Sequence, residues 1–120
     1  MIYHESMDWE VETEPEVDQW LNDLTDEQFG HAEFYIDLLA ERGRGLREPY
    51  TRQLDGKLRE LRFYMGRTRQ RISYYHARGR VIVLLTVFSK TADKEPAQIR
   101  RAKKAMQKCI TEGHVEEEEL

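Results

Sequence analysis

Several things are scarce in this sequence, and each scarcity excludes something. The 120 residues include one cysteine, Cys109, so no internal disulfide can form and a reducing, cytoplasmic setting is expected. No apolar run approaches the roughly 18 residues that a membrane-spanning helix needs. The first ten residues, MIYHESMDWE, have neither a basic start nor an apolar stretch, so no export signal is expected there. No glycine-rich loop precedes a helix and no Cys/His spacing suits zinc, so neither a cofactor nor a metal is expected. The chain is too short to bury two cores. Residues 1–113 are expected to form one domain, with the acidic stretch 114–120 outside it as a disordered tail.

Bases are also missing, but only locally. Residues 1–41 hold 13 acidic residues and no Lys or Arg. Residues 42–108 hold all 19 bases and only 5 acids, a local charge of +14, and residues 109–120 are acidic again. The net charge of −4 argues against a nucleic-acid binder, but it averages over opposed blocks. Neutralisation of one block by the other would be the plain consequence of folding. It would not explain why the bases concentrate on particular faces.

What is present is periodic. Alternation over residues 1–12 predicts a first strand. Pro15, then Val17, Trp20, Leu21 and Leu24, predicts a helix over 14–23 with one apolar face. Thr25 and Gln28 form a capping-box pattern that opens a second helix over 26–42, stopped by Gly43. Residues 43–56 read as a loop. Three strands follow at 57–65, 68–76 and 80–88, joined by short turns at Gly66-Arg67 and Arg78-Gly79. The last strand is apolar on both faces. Pro96 opens a final helix whose Ile99, Ala102, Met106 and Cys109 face inward. The expected fold is α+β in the order β-α-α-β-β-β-α, an antiparallel sheet with its helices packed on one face.

Two-residue turns would set Arg62 opposite Arg71, Tyr64 opposite Arg69 and Glu60 opposite Ser73. They would also set Arg71 opposite Thr86, and Leu61, Phe63, Ile72, Tyr74, Val83, Leu85 and Val87 would face the helices. The open face would collect Glu60, Arg62, Tyr64, Arg69, Arg71, Ser73, Tyr75 and Thr86, with Lys90 just beyond. Opposed arginines cost a sheet up to about 1 kcal/mol. Glu60 bridging them would make a merely solvated face. The alternative is a phosphate-binding platform, because guanidinium groups grip phosphate through paired hydrogen bonds and interleaved tyrosines can stack on bases.

The run L-D-G-K-L-R-E-L-R (54–62), then R-I-S-Y-Y (71–75), then V-I-V-L-L-T-V-F-S-K-T (81–91) and Q-I-R-R-A-K (98–103) resembles the RelE/HigB toxin superfamily, in particular its phage-derived HigB-like branch. The resemblance spans about residues 35–106. It implies the toxin of a type II toxin–antitoxin system, a metal-independent endoribonuclease that enters the ribosomal A site and cuts mRNA. Its partners would be a helix-turn-helix antitoxin, the ribosome and mRNA, with DNA reached only through the antitoxin. In that chemistry the 2′-hydroxyl attacks the adjacent phosphate, which requires a base, a cation for the developing charge and an acid. Arg71 matches the family's strand arginine and would stabilise the transition state. Arg62 would position the phosphate and Lys90 could do either. Lys57, Arg69, Tyr64 and Tyr75 would bind RNA. The base is unassigned, with Glu60, Tyr75 and His76 as candidates in that order. A non-catalytic RNA- or antitoxin-binding module on the same fold is the alternative. A further expectation is that the acidic ends lie over the basic face and compete with RNA.

Overall fold

The structure, a computed structural model, describes residues 8–88 and 95–113. The elements run β1 (Glu10–Thr13), α1 (Pro15–Asn22), α2 (Asp26–Arg42), β2 (Thr51–Asp55), β3 (Leu58–Met65), β4 (Thr68–Ala77), β5 (Val81–Val87) and α3 (Glu95–Glu112), with one 3-10 turn at Gly43–Gly45. The expected Lys90, the start of the first strand and the acidic tail lie outside the described residues.

Local chemistry accounts for the helices. Pro15 occupies the first turn of α1, where a missing N–H costs nothing, and Val17 and Leu21 turn into the core. The Thr25 hydroxyl accepts from the Gln28 amide at 3.2 Å, and the Gln28 side chain accepts from the Thr25 amide at 3.0 Å. This reciprocal cap fixes the start of α2. Gly43, at φ +51°, ends it. A Cβ at Gly43 would sit 2.1 Å from Trp9 Nε1, so only glycine lets that indole lie against the chain.

The five strands are ordered β1-β5-β4-β3-β2. Three pairs are antiparallel, and β1 runs parallel to β5, which corrects the expectation of a wholly antiparallel sheet. β2 is the strand that the reading of 43–56 as loop missed. Its hairpin turns on Gly56-Lys57, with Asp55 opposite Leu58, and Gly56 at φ +58° supplies the positive φ that such a turn needs at its first position.

The fold class is α+β as expected, but the helices do not share a face. Val17, Leu21, Ala32, Ile36 and Leu39 pack from α1 and α2 on Leu61, Phe63, Ile72, Tyr74, Ile82 and Leu84. Ala102 and Cys109 of α3 pack on the other side, against Leu58, Tyr75, Val83 and Leu85. The reason is in β5. Val81 to Leu85 are all buried, so this strand needs cover on both faces, and the apolar stripe of α3 supplies the second.

The β3–β4 register is as expected, with Arg62 opposite Arg71 and Tyr64 opposite Arg69. The β4–β5 register is not. The turn holds three residues, Arg78 to Arg80, because Ala77 pairs with Val81. That added residue turns Val83 and Leu85 towards α3 instead of α1 and α2. A bulge then follows: Ser73 pairs with Thr86 and Tyr74 with Leu84, leaving Leu85 as the extra residue. It returns Thr86 to the face carrying Ser73, opposite Ser73 rather than Arg71.

Candidate phosphate-binding site

α3 covers only part of its face of the sheet. Beyond its first turn, Arg62, Tyr64, Arg69 and Arg71 emerge from β3 and β4. They are held by a row of alternating charges. Glu60 is fully buried, and its carboxylate accepts from Arg71 Nε and Arg71 Nη2, both at 2.8 Å. This is the two-pronged geometry that makes arginine–carboxylate pairs strong. Arg62 Nε lies 3.3 Å from the same carboxylate, nearest the oxygen that accepts from Arg71 Nε. Arg71 Nη2 also donates to Glu95 at 3.0 Å, and Arg52 donates to the other oxygen of Glu95 at 2.8 Å. The row Arg52–Glu95–Arg71–Glu60–Arg62 therefore has three cations and two anions.

The electrostatics follow from those contacts. The Glu60 hydrogen bond holds the Arg71 guanidinium above its ordinary value, against the opposing effect of burial. Burial pushes the Glu95 carboxyl up, but Arg71 and Arg52 together outweigh it and hold that carboxyl below the usual carboxylate range. Arg71 also lies over the Phe88 ring, 4.6 Å from its centroid. Among the described residues it engages three of its five N–H donors, all on Nε and Nη2. Next along the sheet, Ser73 and Thr86, paired across β4 and β5, share a buried hydroxyl–hydroxyl bond of 2.6 Å. Glu60 and Glu95 thus fix the cation, and Arg71 retains 22 % side-chain exposure.

Several expected residues fall elsewhere. Tyr75 is 1 % exposed beneath α3, where its hydroxyl donates to Cys109 Sγ, so it is unable to stack on a base or take a proton from substrate. Glu60 is too deeply buried to touch substrate, and its part is to position two arginines. His76 is on the face of α1 and α2, edge-on to Trp9 at 4.8 Å. Lys57 lies on the β2–β3 turn and lines a cavity with Arg44, Arg59 and His76, not with Arg62 and Arg71. Tyr64 and Arg69 are together as expected: Arg69 donates to the Tyr64 hydroxyl at 3.2 Å and its guanidinium lies 5.2 Å from the ring centroid.

Two members of the row were missed. Arg52 sits on the unforeseen β2, directly opposite Glu60. Glu95 precedes Pro96 at the start of α3 and acts across 24 residues of chain. Plain pairing across a two-residue turn at Gly56-Lys57 would have set Gln53 opposite Glu60; a bulge between Gln53 and Asp55 brings Arg52 there instead, and no local pattern announces it. Sequence periodicity carries no signal for Glu95.

Residues 19–107 match the model of a protein family described as phage-derived protein Gp49-like. The chain belongs to the Gp49-like family. It is a RelE-like family associated with toxin–antitoxin systems, which agrees with the superfamily expected from the motifs; the HigB branch is a finer assignment. Membership points to an antitoxin as partner. No curated protein matches the chain. Among the described residues of this Gp49-like protein, no helix is long and apolar enough to cross a membrane. Those residues also hold no group of three or more His, Cys, Asp or Glu side chains arranged to take a metal ion.

Proposed function

We propose that this Gp49-like protein is the toxin of a HigB-like type II toxin–antitoxin pair, acting as a ribosome-dependent endoribonuclease on mRNA. The observation that carries the reading is the Arg71–Glu60–Arg62 arrangement. A fully buried carboxylate holds two arginines on the uncovered part of a sheet, at the cost of opposing like charges across β3 and β4. That arrangement suits an anion that gains charge during reaction.

In the proposed reaction the 2′-hydroxyl gives its proton to water in the ribosomal site as the 2′-oxygen bonds to phosphorus, and the P–O5′ bond breaks as O5′ takes up a proton, leaving a 2′,3′-cyclic phosphate and a 5′-hydroxyl. The phosphorus centre acquires a second negative charge on the way. The outward N–H groups of Arg71 stabilise that charge, and Arg62 binds a phosphate oxygen. Arg69 and Tyr64 hold the neighbouring nucleotide. Lys90, between β5 and α3 in the sequence, belongs to the proposal as a second cation or as the acid for the leaving oxygen. The ribosome supplies the structured site in which an otherwise acidic protein meets RNA, and a helix-turn-helix antitoxin neutralises the toxin.

Induced expression in cells, with primer extension on abundant mRNAs, tests this. Growth arrest with codon-phased cuts is expected for the wild type, and Arg71→Lys should remove both while the protein stays folded. A wild type that neither arrests growth nor cuts refutes the reading. The burial of Glu60 and Tyr75 favours a second reading, a non-catalytic RNA- or antitoxin-binding module. It predicts no cuts but retained binding.

A further inference from the structure

Beside the phosphate platform lies a cavity of about 180 Å³, between α2, the segment leading into β2 and the β3–β4 hairpin. Tyr35, Tyr50 and Tyr64 line it together with Arg62 and Arg69. Tyr50 and Tyr64 are 40 % and 54 % exposed, two of the three large hydrophobic side chains that stand exposed among the described residues. Burying those rings would be favourable, so their exposure around one cavity has to be explained.

We infer that this cavity is a nucleobase slot, in which Tyr50 and Tyr64 hold the base attached to the phosphate that Arg62 grips. The inference rests on reading the arginine row as a phosphate platform, and it adds the residues that hold the base. The walls are stiff. Tyr35 is stacked on Phe63 with centroids 4.8 Å apart and planes within 10°. Tyr50 leans on Tyr35 at 6.2 Å, and its carbonyl accepts from the Arg62 amide at 2.8 Å, which ties this wall to β3. Tyr64 is braced twice. Arg69 holds its ring and hydroxyl, and His31 of α2 lies 2.8 Å from its backbone carbonyl.

The chemistry selects a nucleotide. Four aromatic rings, those of Tyr35, Tyr50, Phe63 and Tyr64, suit a flat π-system, and among the described residues no carboxylate lines the cavity. Arg62 joins it to the charge row, and its buried Nε, though near Glu60, makes no aligned hydrogen bond. A ligand that couples a flat ring to an anion uses both parts at once, and base–aromatic stacking is sequence-tolerant.

The test uses the whole protein and two labelled single-stranded deoxytetranucleotides, which cannot be cleaved through a 2′-hydroxyl. One carries four adenines and the other the same backbone without bases. By fluorescence anisotropy at low salt, the adenine strand should bind roughly tenfold tighter, a stacking contribution of one base. Tyr50→Ala should abolish that preference without weakening the abasic strand, Tyr64→Ala should abolish it as well, and Tyr64→Phe should keep it. Equal affinity for both strands in the wild type overturns the slot and leaves the platform standing. No binding of either strand overturns both. If the alanine variants keep the preference but lose affinity for an acidic, aromatic-bearing peptide, the cavity serves a protein partner and the inference fails.

Discussion

Removing Arg71 should destabilise the protein more than removing the charge of Glu60, and the asymmetry can be worked from burial. Glu60 has no solvent exposure, and Arg71 supplies both hydrogen bonds of its carboxylate. Among the described residues, Arg71→Ala leaves that charge with Arg62 beside it, at 3.3 Å. Breaking a buried pair from one side costs about 3–5 kcal/mol, and the remaining arginine places this case near about 3 kcal/mol. Glu60→Gln leaves a different remainder. Arg71 keeps 22 % exposure and its bond to Glu95, and glutamine still offers one acceptor. The loss there should be about 1–2 kcal/mol, the scale of one hydrogen bond to a charged group. The double variant no longer buries an unpaired charge, so its loss should fall short of the sum by about 2 kcal/mol. Urea denaturation at neutral pH measures all three, provided the denaturant slope is unchanged. Equal losses for the two single variants, or simple additivity, would refute the view that Glu60 is held by Arg71. Replacing both residues by methionine should leave stability within about 1 kcal/mol of the wild type while abolishing RNA binding.

Two further predictions concern the ends of the helices. Because Arg71 and Arg52 hold the Glu95 carboxyl below its ordinary range, the tether of α3 to the sheet contributes stability above the ordinary carboxylate pKa and loses it as pH falls through the lowered value. Glu95→Gln should therefore flatten the acid limb of a stability–pH profile, and should tighten binding of a short oligonucleotide several-fold by freeing Arg71 and Arg52. An unchanged profile would show that the tether does not form in solution. Gly43→Ala should cost more than the roughly 1–2 kcal/mol of an ordinary left-handed alanine, because its Cβ would also meet the Trp9 indole. Thermal unfolding would check this, and relief of the loss by adding Trp9→Ala would identify the clash as the cause.

The elements legible in the sequence were those whose signal is local. The Thr25/Gln28 cap, the stripe of α2 and the turn at Gly66-Arg67 depend on residues within four positions of each other, and the structure follows them closely. The Arg62–Arg71 pairing was legible for the same reason, since a short turn fixes the register. The β4–β5 register was not, because one extra turn residue changes which side chains share a face, and Arg78-Gly79 does not announce whether Arg80 belongs to the turn. The side on which α3 packs is a tertiary matter, yet it had a trace. A strand apolar on both faces cannot leave one of them open, so β5 already required a second cover. Burial of Glu60 and Tyr75 follows from that one fact about α3, and so does the loss of two candidate bases.

The acidic ends of the chain raise the question of whether they cancel the basic block where it matters. Much of the compensation visible at the site is local. Glu60 and Glu95 come from within residues 42–108, as does Asp55, which meets Lys103 at 2.8 Å. From the acidic N-terminal block, Glu16 pairs with Arg101 at 2.6 Å, on the flank of α3. Exposed charges farther away than about 8–10 Å are largely screened at physiological salt. Among the described residues, the potential felt by a phosphate at Arg71 is therefore dominated by the row of three arginines and two glutamates, with one positive charge in excess, and by Arg69 two residues along β4. Molecular net charge governs long-range steering instead, and there a protein at −4 is repelled by free RNA. Such a molecule approaches RNA poorly in open solution and holds a phosphate well once placed beside it. That combination suits a site delivered by shape and by other contacts, as an A site on the ribosome would deliver it. It also predicts a salt dependence far shallower than 19 basic residues would give, because only the phosphates engaged at Arg71, Arg62 and Arg69 release counterions. A slope for short single strands near −2, or about 0.7 per phosphate for three contacts, would fit this; a much steeper slope would mean that the wider basic surface binds RNA on its own.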